Sequence, residues 1–401
     1  MLKKRLVWLV IAVSVVTFGM VSNTFAAGEP EGEPLKIGVL GVMSGRAASW
    51  GLVCKYAAEA NAKMLNAQGG VVIDGVRHKI EIVSVDTRQD PKVALAGAKR
   101  LVEDEGIRYI IGPNVDNTGI GIAPFMESAG AMYIPYGQSR EVIAPPHHNA
   151  ILGMIVSFQS GPIMYKYMKE NLDVKTIAFV ARNQADPLNQ RKVGIEAAEK
   201  LGLQVNSWEE TYDPGTIDFY PVMTNVVIEN PDQIVLSGVS PGDAPLLIKA
   251  ARELGYEGYI SAETAHDINI LNDIAGEYAN DFIFVGGAST PEIASDYMNQ
   301  FIEVYTEVAG EWHDEAGTKV YALPMIMATL QHAGAAAIND VELFKKAIPE
   351  VAITNPYLKQ EQVLKYVGAE YFGQPHQIGI PLVVNIVKDG KLEVLFIGSV
   401  D

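Results

Sequence analysis

The chain has 401 residues, 48 of them acidic against 31 basic, and a formal net charge of −17. A surface that acidic repels phosphate backbones and anionic headgroups, which makes nucleic acid and the membrane surface poor partners and points to no nucleic-acid role. Its one cysteine, Cys54, excludes an internal disulfide and a cysteine-built metal site; among Val53, Tyr56 and Ala57 in a helical pattern, it reads as a small buried apolar residue.

Residues 1–26 read as a secretory signal peptide. Lys3, Lys4 and Arg5 make a basic start, "LVWLVIAVSVVTFGM" is the apolar run, and "NTFAA" supplies small residues for cleavage. The run is shorter than the ~20 residues of a membrane span, so cleavage after Ala26 is expected rather than retention as an anchor. No cysteine follows the run to carry a lipid. Losing three basic residues takes the charge from −17 to −20, which suits a soluble protein of the periplasm. Residues 27–34, "AGEPEGEP", are a linker.

From there strands and helices alternate. "LKIGVLG" reads as a buried strand, and "GLVCKYAAEANAKMLNAQGG" as a helix ending at Gly69-Gly70. "HKIEIVSVD" is a strand with apolar residues at every second place. "DPKVALAGAKRLVEDEG" begins with an Asp cap and a Pro at the first helical position, and stops at Gly106. "IRYIIG", a helix over 117–130 and "AMYIP" continue the series. After a break at "APPHHNA" it restarts: helix 160–171, "KTIAFVAR", helix 188–201, "LQVNSWEET", helix 218–229, "QIVLSG", helix 243–254 and "EGYIS". Such alternation means parallel sheets covered by helices on both faces. Two series across a break imply two similar lobes, each doubly wound in the α/β manner. The last third differs. Helical stretches at 291–309, 318–337 and 341–349 come in succession, and "PLVVNIVKDGKLEVLFIG" forms a hairpin about Asp389-Gly390. That tail must add to lobes already begun, so the chain crosses between them more than once.

Gly238-Val-Ser240-Pro241-Gly242 is a G-x-S-x-G pattern after an apolar run, and His266, His313, His332 and His376 permit the chain order of a serine hydrolase. The pattern fails on one atom. The oxyanion hole of such an elbow uses the backbone N–H of the residue after the nucleophile, and Pro241 has none. The same letters make a sharp strand-to-helix turn with Asp243 as helix cap. His147-His148 lacks a third metal ligand and reads as a surface loop. No H-E-x-x-H, phosphate loop or dinucleotide fingerprint occurs. The residues imply no metal, no cofactor and no enzyme; they describe a binder.

"KIGVLGVMSG…WG…AAEANAKMLNAQGGVVIDGVRHKIEIVSVDTRQDPKVALAGAKRLVEDEGIRYIIGP" closely resembles the opening of the periplasmic solute-binding proteins of branched-chain amino-acid ABC transporters. The resemblance implies two α/β lobes joined by a three-crossover hinge, with ligand enclosed between them. The first lobe is expected from 35–154 and 286–355, the second from 155–285 and 356–401, the hairpin included. It further implies a monomer that captures a small polar ligand, an amino acid or similar compound, and delivers it to a permease with its ATPase. A soluble sensor feeding a receptor is the alternative, as is a binder of amide, urea-like or aromatic-acid ligands; a hydrolase through Ser240 is the remote one.

In α/β lobes ligands meet the loops at the carboxyl ends of strands. By the resemblance, Trp50 packs on the ligand, and Ser139 and Gly137 supply a hydroxyl and a backbone contact. Glu263 in "SAETAHD" receives an ammonium group, and Ser240 lies in a ligand-facing loop. "NQADPLNQ" stands where many relatives have a Tyr-Gly pair. Asp116, beside Asn117, stands where the family usually carries a small hydroxyl residue that holds the ligand's carboxylate. Two readings of Asp116 remain. As the helix N-cap it leaves the backbone donors to a zwitterionic amino acid. Facing the cleft with Glu263, it favours a donor-rich ligand: an amide, a urea-like or a cationic compound.

Overall fold

The computed structural model describes residues 31–45, 47–144 and 147–400, without the side chains of 207–209. The signal peptide and the linker as far as residue 30 lie outside the described residues.

Two sheets carry the chain. In the first, four parallel strands lie in the order Ile80–Asp86, Leu35–Gly41, Tyr109–Asn114 and Met132–Tyr136. Leu35–Gly41 is buried at every position but one, as a central strand with helices on both faces must be. The second sheet has seven strands: Gln204–Tyr212, Thr176–Arg182, Gln233–Ser237, Tyr259–Ala262, Phe282–Gly286, Leu382–Lys388 and Lys391–Gly398. Its first five run parallel, and the last two are the antiparallel hairpin. Asp389 and Gly390 both take positive φ, 47° and 69°, the backbone of a two-residue turn that follows strand twist. Asp90 caps helix Pro91–Lys99 as its position before Pro91 predicts, accepting from the N–H of Lys92 at 2.7 Å and Val93 at 3.1 Å.

Several expectations need correction. Phe282–Gly286 is a strand that the alternation left unread, and Ala352–Thr354, Val363–Val367 and Gln377–Ile378 form a small third sheet. These strands are two to five residues long, too short to show a period. The helix expected over 318–337 is Ala322–Ala333, preceded by a tight 3₁₀ turn at Asp314–Thr318. Asp243 starts helix Ala244–Glu253 but makes no side-chain cap; its carboxylate accepts from the Tyr212 hydroxyl at 3.3 Å.

The chain passes between the sheets three times: between Tyr136 and helix Ser157–Asn171, after Gly286, and before Leu382. Helix Asp296–Ala309 returns to the first lobe, where Tyr305 meets Tyr56 of helix Ala48–Ala67 edge-on at 6.0 Å. At the crossings Gln159 and Gln377, both buried, exchange amide hydrogen bonds of 2.9 and 2.8 Å, and Gln377 also donates to the Met154 carbonyl at 2.8 Å. Removing Gln377 strands two buried partners, each worth about 1–3 kcal/mol. Gln377→Ala is therefore expected to lower stability in urea unfolding by about 2 kcal/mol or more. The Gln159→Leu, Gln377→Leu pair should cost less than the two single changes summed. No helix among the described residues is long and apolar enough to cross a membrane.

Candidate functional site

The carboxyl ends of the strands in both sheets face one another across a cavity of about 680 Å³. The first lobe contributes Trp50, Asn114–Asn117 and Gln138–Ser139 to its wall. The second contributes Arg182, Gln184–Pro187, Gly238–Val239 and Glu263–Ala265, and the turn before helix Ala322–Ala333 adds Glu315 and Lys319.

Trp50, half-buried, lines this cavity from the first turn of helix Ala48–Ala67, and its carbonyl accepts from Asn114 Nδ2 at 3.1 Å. Asn117, exposed, lines it too. Just before Asp116, Val115 sits at φ 69°, ψ 145°, a costly backbone for a β-branched residue. Thr118 pins it, its hydroxyl donating to the carbonyls of Asn114 at 2.6 Å and Val115 at 3.0 Å.

Asp116 faces the cleft. It is the first residue of helix Asp116–Ser128 and makes no N-cap bond. Its carboxylate accepts the main-chain N–H of Gln138 at 2.6 Å and of Ser139 at 3.0 Å. Those donors lie in the loop after Met132–Tyr136, so Asp116 fills with its own oxygens the backbone site open to a ligand anion. Across the cleft Asp186, in the first turn of helix Ala185–Lys200, brings a second carboxyl to the same cavity, and the two carboxyls shift each other's titration. Burial raises the Asp116 carboxyl, opposed by the Ser139 N–H and the Asp186 contact. Burial and the charge of Asp116 push Asp186 up to about 8. At neutral pH the pair holds one proton.

Gly137 and Ser240 stand back from the cavity wall. Gly137 is absent from the cavity wall; a Cβ there would come within 2.4 Å of Asp116 Oδ1. Its lack of a side chain makes room for Asp116. Ser240 is also absent from the wall. It is buried beneath the turn, where its hydroxyl accepts from the Asp243 N–H at 3.3 Å and its carbonyl accepts from Ala244 at 3.0 Å. Ser139 does line the cavity, but its hydroxyl turns to Glu141, donating to the carboxylate and accepting the N–H at 3.2 Å.

Glu263 reaches the wall from the end of Tyr259–Ala262 and is 2% exposed. Burial pushes its carboxyl up to about 7, against the Tyr165 and Ser237 hydroxyls, which favour the anion. Tyr165 donates to Oε1, and Oε2 has no partner within hydrogen-bonding distance. Behind Oε1 stand Gly161 and Gly194, where a Cβ would lie 3.1 and 3.2 Å away. Cys54 is buried as expected, its thiol pushed up to about 11 by burial.

Sequence reasoning missed Arg182, Asp186, Gln190, Glu315 and Lys319. Lys319 is 9% exposed, 3.9 Å from Glu315 Oε1 and 4.6 Å from the Tyr136 ring centre. Burial pushes Glu315 up to about 7, with Lys319 opposing. Lys319 was hidden inside the overlong helix expected from 318. Asp186 had a visible signal: it falls in "NQADPLNQ", where the chain departs from a Tyr-Gly pair.

Comparisons agree with this geometry. The chain is 28% identical over 253 residues to the Leu/Ile/Val-binding protein of Escherichia coli, a stretch spanning 62% of this chain and 66% of that one, just under two thirds of the relative's length. It is 24% identical over 306 residues to the Leu/Ile/Val/Thr-binding protein of Salmonella typhimurium, covering 75% and 80%. Among solved structures, a leucine-binding protein of Thermotoga maritima matches with TM-score 0.73 at 22% identity, over 90% of this chain and 98% of that one. A branched-chain amino-acid transporter substrate-binding protein of Streptococcus pneumoniae, in complex with isoleucine, matches with TM-score 0.75 at 19% identity, over 92% and 99%. The family model described as "periplasmic binding protein" matches residues 34–375, and with two α/β lobes lining a shared cavity, the chain belongs to that family.

Proposed function

We propose that this protein is the extracytoplasmic solute-binding subunit of an ABC importer. It captures an amino acid or amino-acid-like compound between its lobes and delivers it to a permease and ATPase. The observation that carries the reading is the cavity itself: its walls come from both lobes, so a ligand touching both favours the closed form over the open one. The lobe bounds we adopt are 35–154 with 286–355, and 155–285 with 356–401, supported by the two sheets and by the return of helix Asp296–Ala309 to the first. We infer a monomer; its work in the periplasm after cleavage of residues 1–26 is supported by the family's description and the basic-then-apolar start.

Capture needs no covalent step. Micromolar affinity takes about 8 kcal/mol; a few charged hydrogen bonds at ~1.5–3 kcal/mol each and apolar burial against Trp50 at a similar value suffice. Ser240 is engaged in its own turn, so Ser240→Ala is expected to leave affinity within a few-fold.

Thermal melting with a panel of the common amino acids, amides, ureas, amines and small aromatic acids tests the reading. At a hundredfold excess over Kd a ligand adds about 2.7 kcal/mol to the folded state, an easily read rise in Tm. For whichever compound binds, Trp50→Ala should weaken affinity at least tenfold in calorimetry. A panel that leaves Tm unmoved throughout would rule out the capture of these solutes.

A further inference from the structure

We propose that the cleft holds a cationic nitrogen of its ligand, an ammonium, amidinium or guanidinium group, between Asp116 of the first lobe and Asp186 of the second. The inference rests on the solute-capture reading above and names the ligand chemistry that closes the lobes.

Each lobe brings one carboxyl to the same point. Asp116 is held from behind by the N–H groups of Gln138 and Ser139, and Asp186 by the Gln190 amide, which donates to it at 3.3 Å. Both line the cavity, where Asp116 Oδ2 also accepts from the Ser139 N–H, at 3.1 Å. Two carboxylates in contact cannot both stay ionised, so in the empty closed form a proton sits between them. A cation that donates two or more N–H bonds does the same service better, because it neutralises both charges and bonds to both lobes at once.

An independent observation points to the same donor-rich guest. Gln190 is 4% exposed and lines the cavity beside Asp186, yet its carbonyl Oε1 has no partner. It is an acceptor in want of a donor, and a buried polar atom left unpaired is costly. The other charges around the pair leave the site open. Arg182 attracts Asp186 without a direct bond, its Nε buried and unpartnered, and Glu141 repels Asp116. Lys319 stands by Glu315 and Tyr136 instead.

Ligand binding then expels the shared proton. With Asp186 at about 8, the cation competes with a proton at pH 7. Its affinity should fall up to about tenfold per unit as pH drops from 7 to 6.

The test uses the whole secreted chain and the panel above, with 3-methylbutylamine, agmatine and L-leucine as cationic-nitrogen probes, and 4-methylpentanoate and acetamide as matched compounds without one. At least one cationic probe should raise Tm, and 4-methylpentanoate and acetamide should not. Asp186→Asn should weaken the binding probe at least tenfold while its ligand-free Tm stays at or above wild type. Calorimetry at pH 7 in two buffers of different ionisation enthalpy should show close to one proton released by wild type and none by Asp186→Asn. Binding of the anionic or neutral probes without the cationic ones, or undiminished affinity in Asp186→Asn, overturns the cation site and leaves solute capture standing. Silence from the whole panel overturns both.

Discussion

Gly51→Ala is expected to destabilise the protein by about 3 kcal/mol, a fall in Tm of roughly 6–12 °C. A Cβ at Gly51 would lie 2.1 Å from the carbonyl oxygen of Val42 and 2.6 Å from its carbon and nitrogen. These are main-chain atoms, which no rotamer change can move aside. Gly51 also donates its N–H to that carbonyl at 3.0 Å, so the helix start and the strand exit are fastened where they would be forced apart. Helix Ala48–Ala67 must back away by roughly 1 Å to restore ordinary contact, carrying Trp50 off the cavity wall. The variant should therefore also bind more weakly than its stability loss explains. Gly242→Ala is the control: nothing lies within 4 Å of its added carbon and its φ is not positive, so it should melt within a degree or two of wild type. Equal melting of Gly51→Ala and wild type would show that the helix does not sit where described.

The ligand-free protein should lose stability as pH rises from 6.5 to 8, by on the order of 2 kcal/mol. Three carboxyls lie high in the folded state: Glu263 and Glu315 at about 7 and Asp186 at about 8, against ordinary values of 4.5, 4.5 and 3.8. A raised carboxyl binds its proton more tightly folded than unfolded, so its contribution is complete below the ordinary value and disappears as pH climbs through the raised one. Two histidines act in the opposite sense. Burial lowers His266 and His376 to about 4 from 6.5, so their contribution is present above 6.5 and lost as pH falls toward 4. Between 4.5 and 6.5 the two sets oppose each other; above 6.5 the carboxyls act alone. A melting series over pH 5–8.5 should fall throughout, gently at first while the two histidines offset part of the three carboxyls, and more steeply near 7 as that offset fades. Glu263→Gln, neutral at every pH and able to accept from Tyr165, should gain on wild type as pH rises and flatten the curve. A wild-type Tm that climbs steadily from 6.5 to 8 would refute the burial of these groups as charged-averse carboxyls.

Much of the scaffold was legible in the chain. The run at Leu35–Gly41, the Asp90-Pro91 helix start and the Asp389-Gly390 turn are each stated by neighbouring residues, and each stands where its pattern puts it. Phe282–Gly286 was not, because five apolar residues fit a strand and a helix turn equally well. The site was legible as a place more than as a set of contacts. Trp50, Asp116, Asn117, Ser139 and Glu263 all reach the cavity wall, since they follow strand ends. Gly137 and Ser240 follow strand ends too, yet one clears space for Asp116 and the other braces its own turn.

The sequence by itself determined two parallel-sheet lobes, the crossings between them and an acidic surface, because periodicity, caps, turns and charge act over a few residues or over none. Only the tertiary structure decided what the cleft presents to a ligand. Asp116 and Asp186 are seventy positions apart and meet only when two lobes close, and Glu263, Glu315 and Lys319 owe their state to what buries them. A carboxyl's charge depends on the water and partners around it, and no local pattern of letters carries that information.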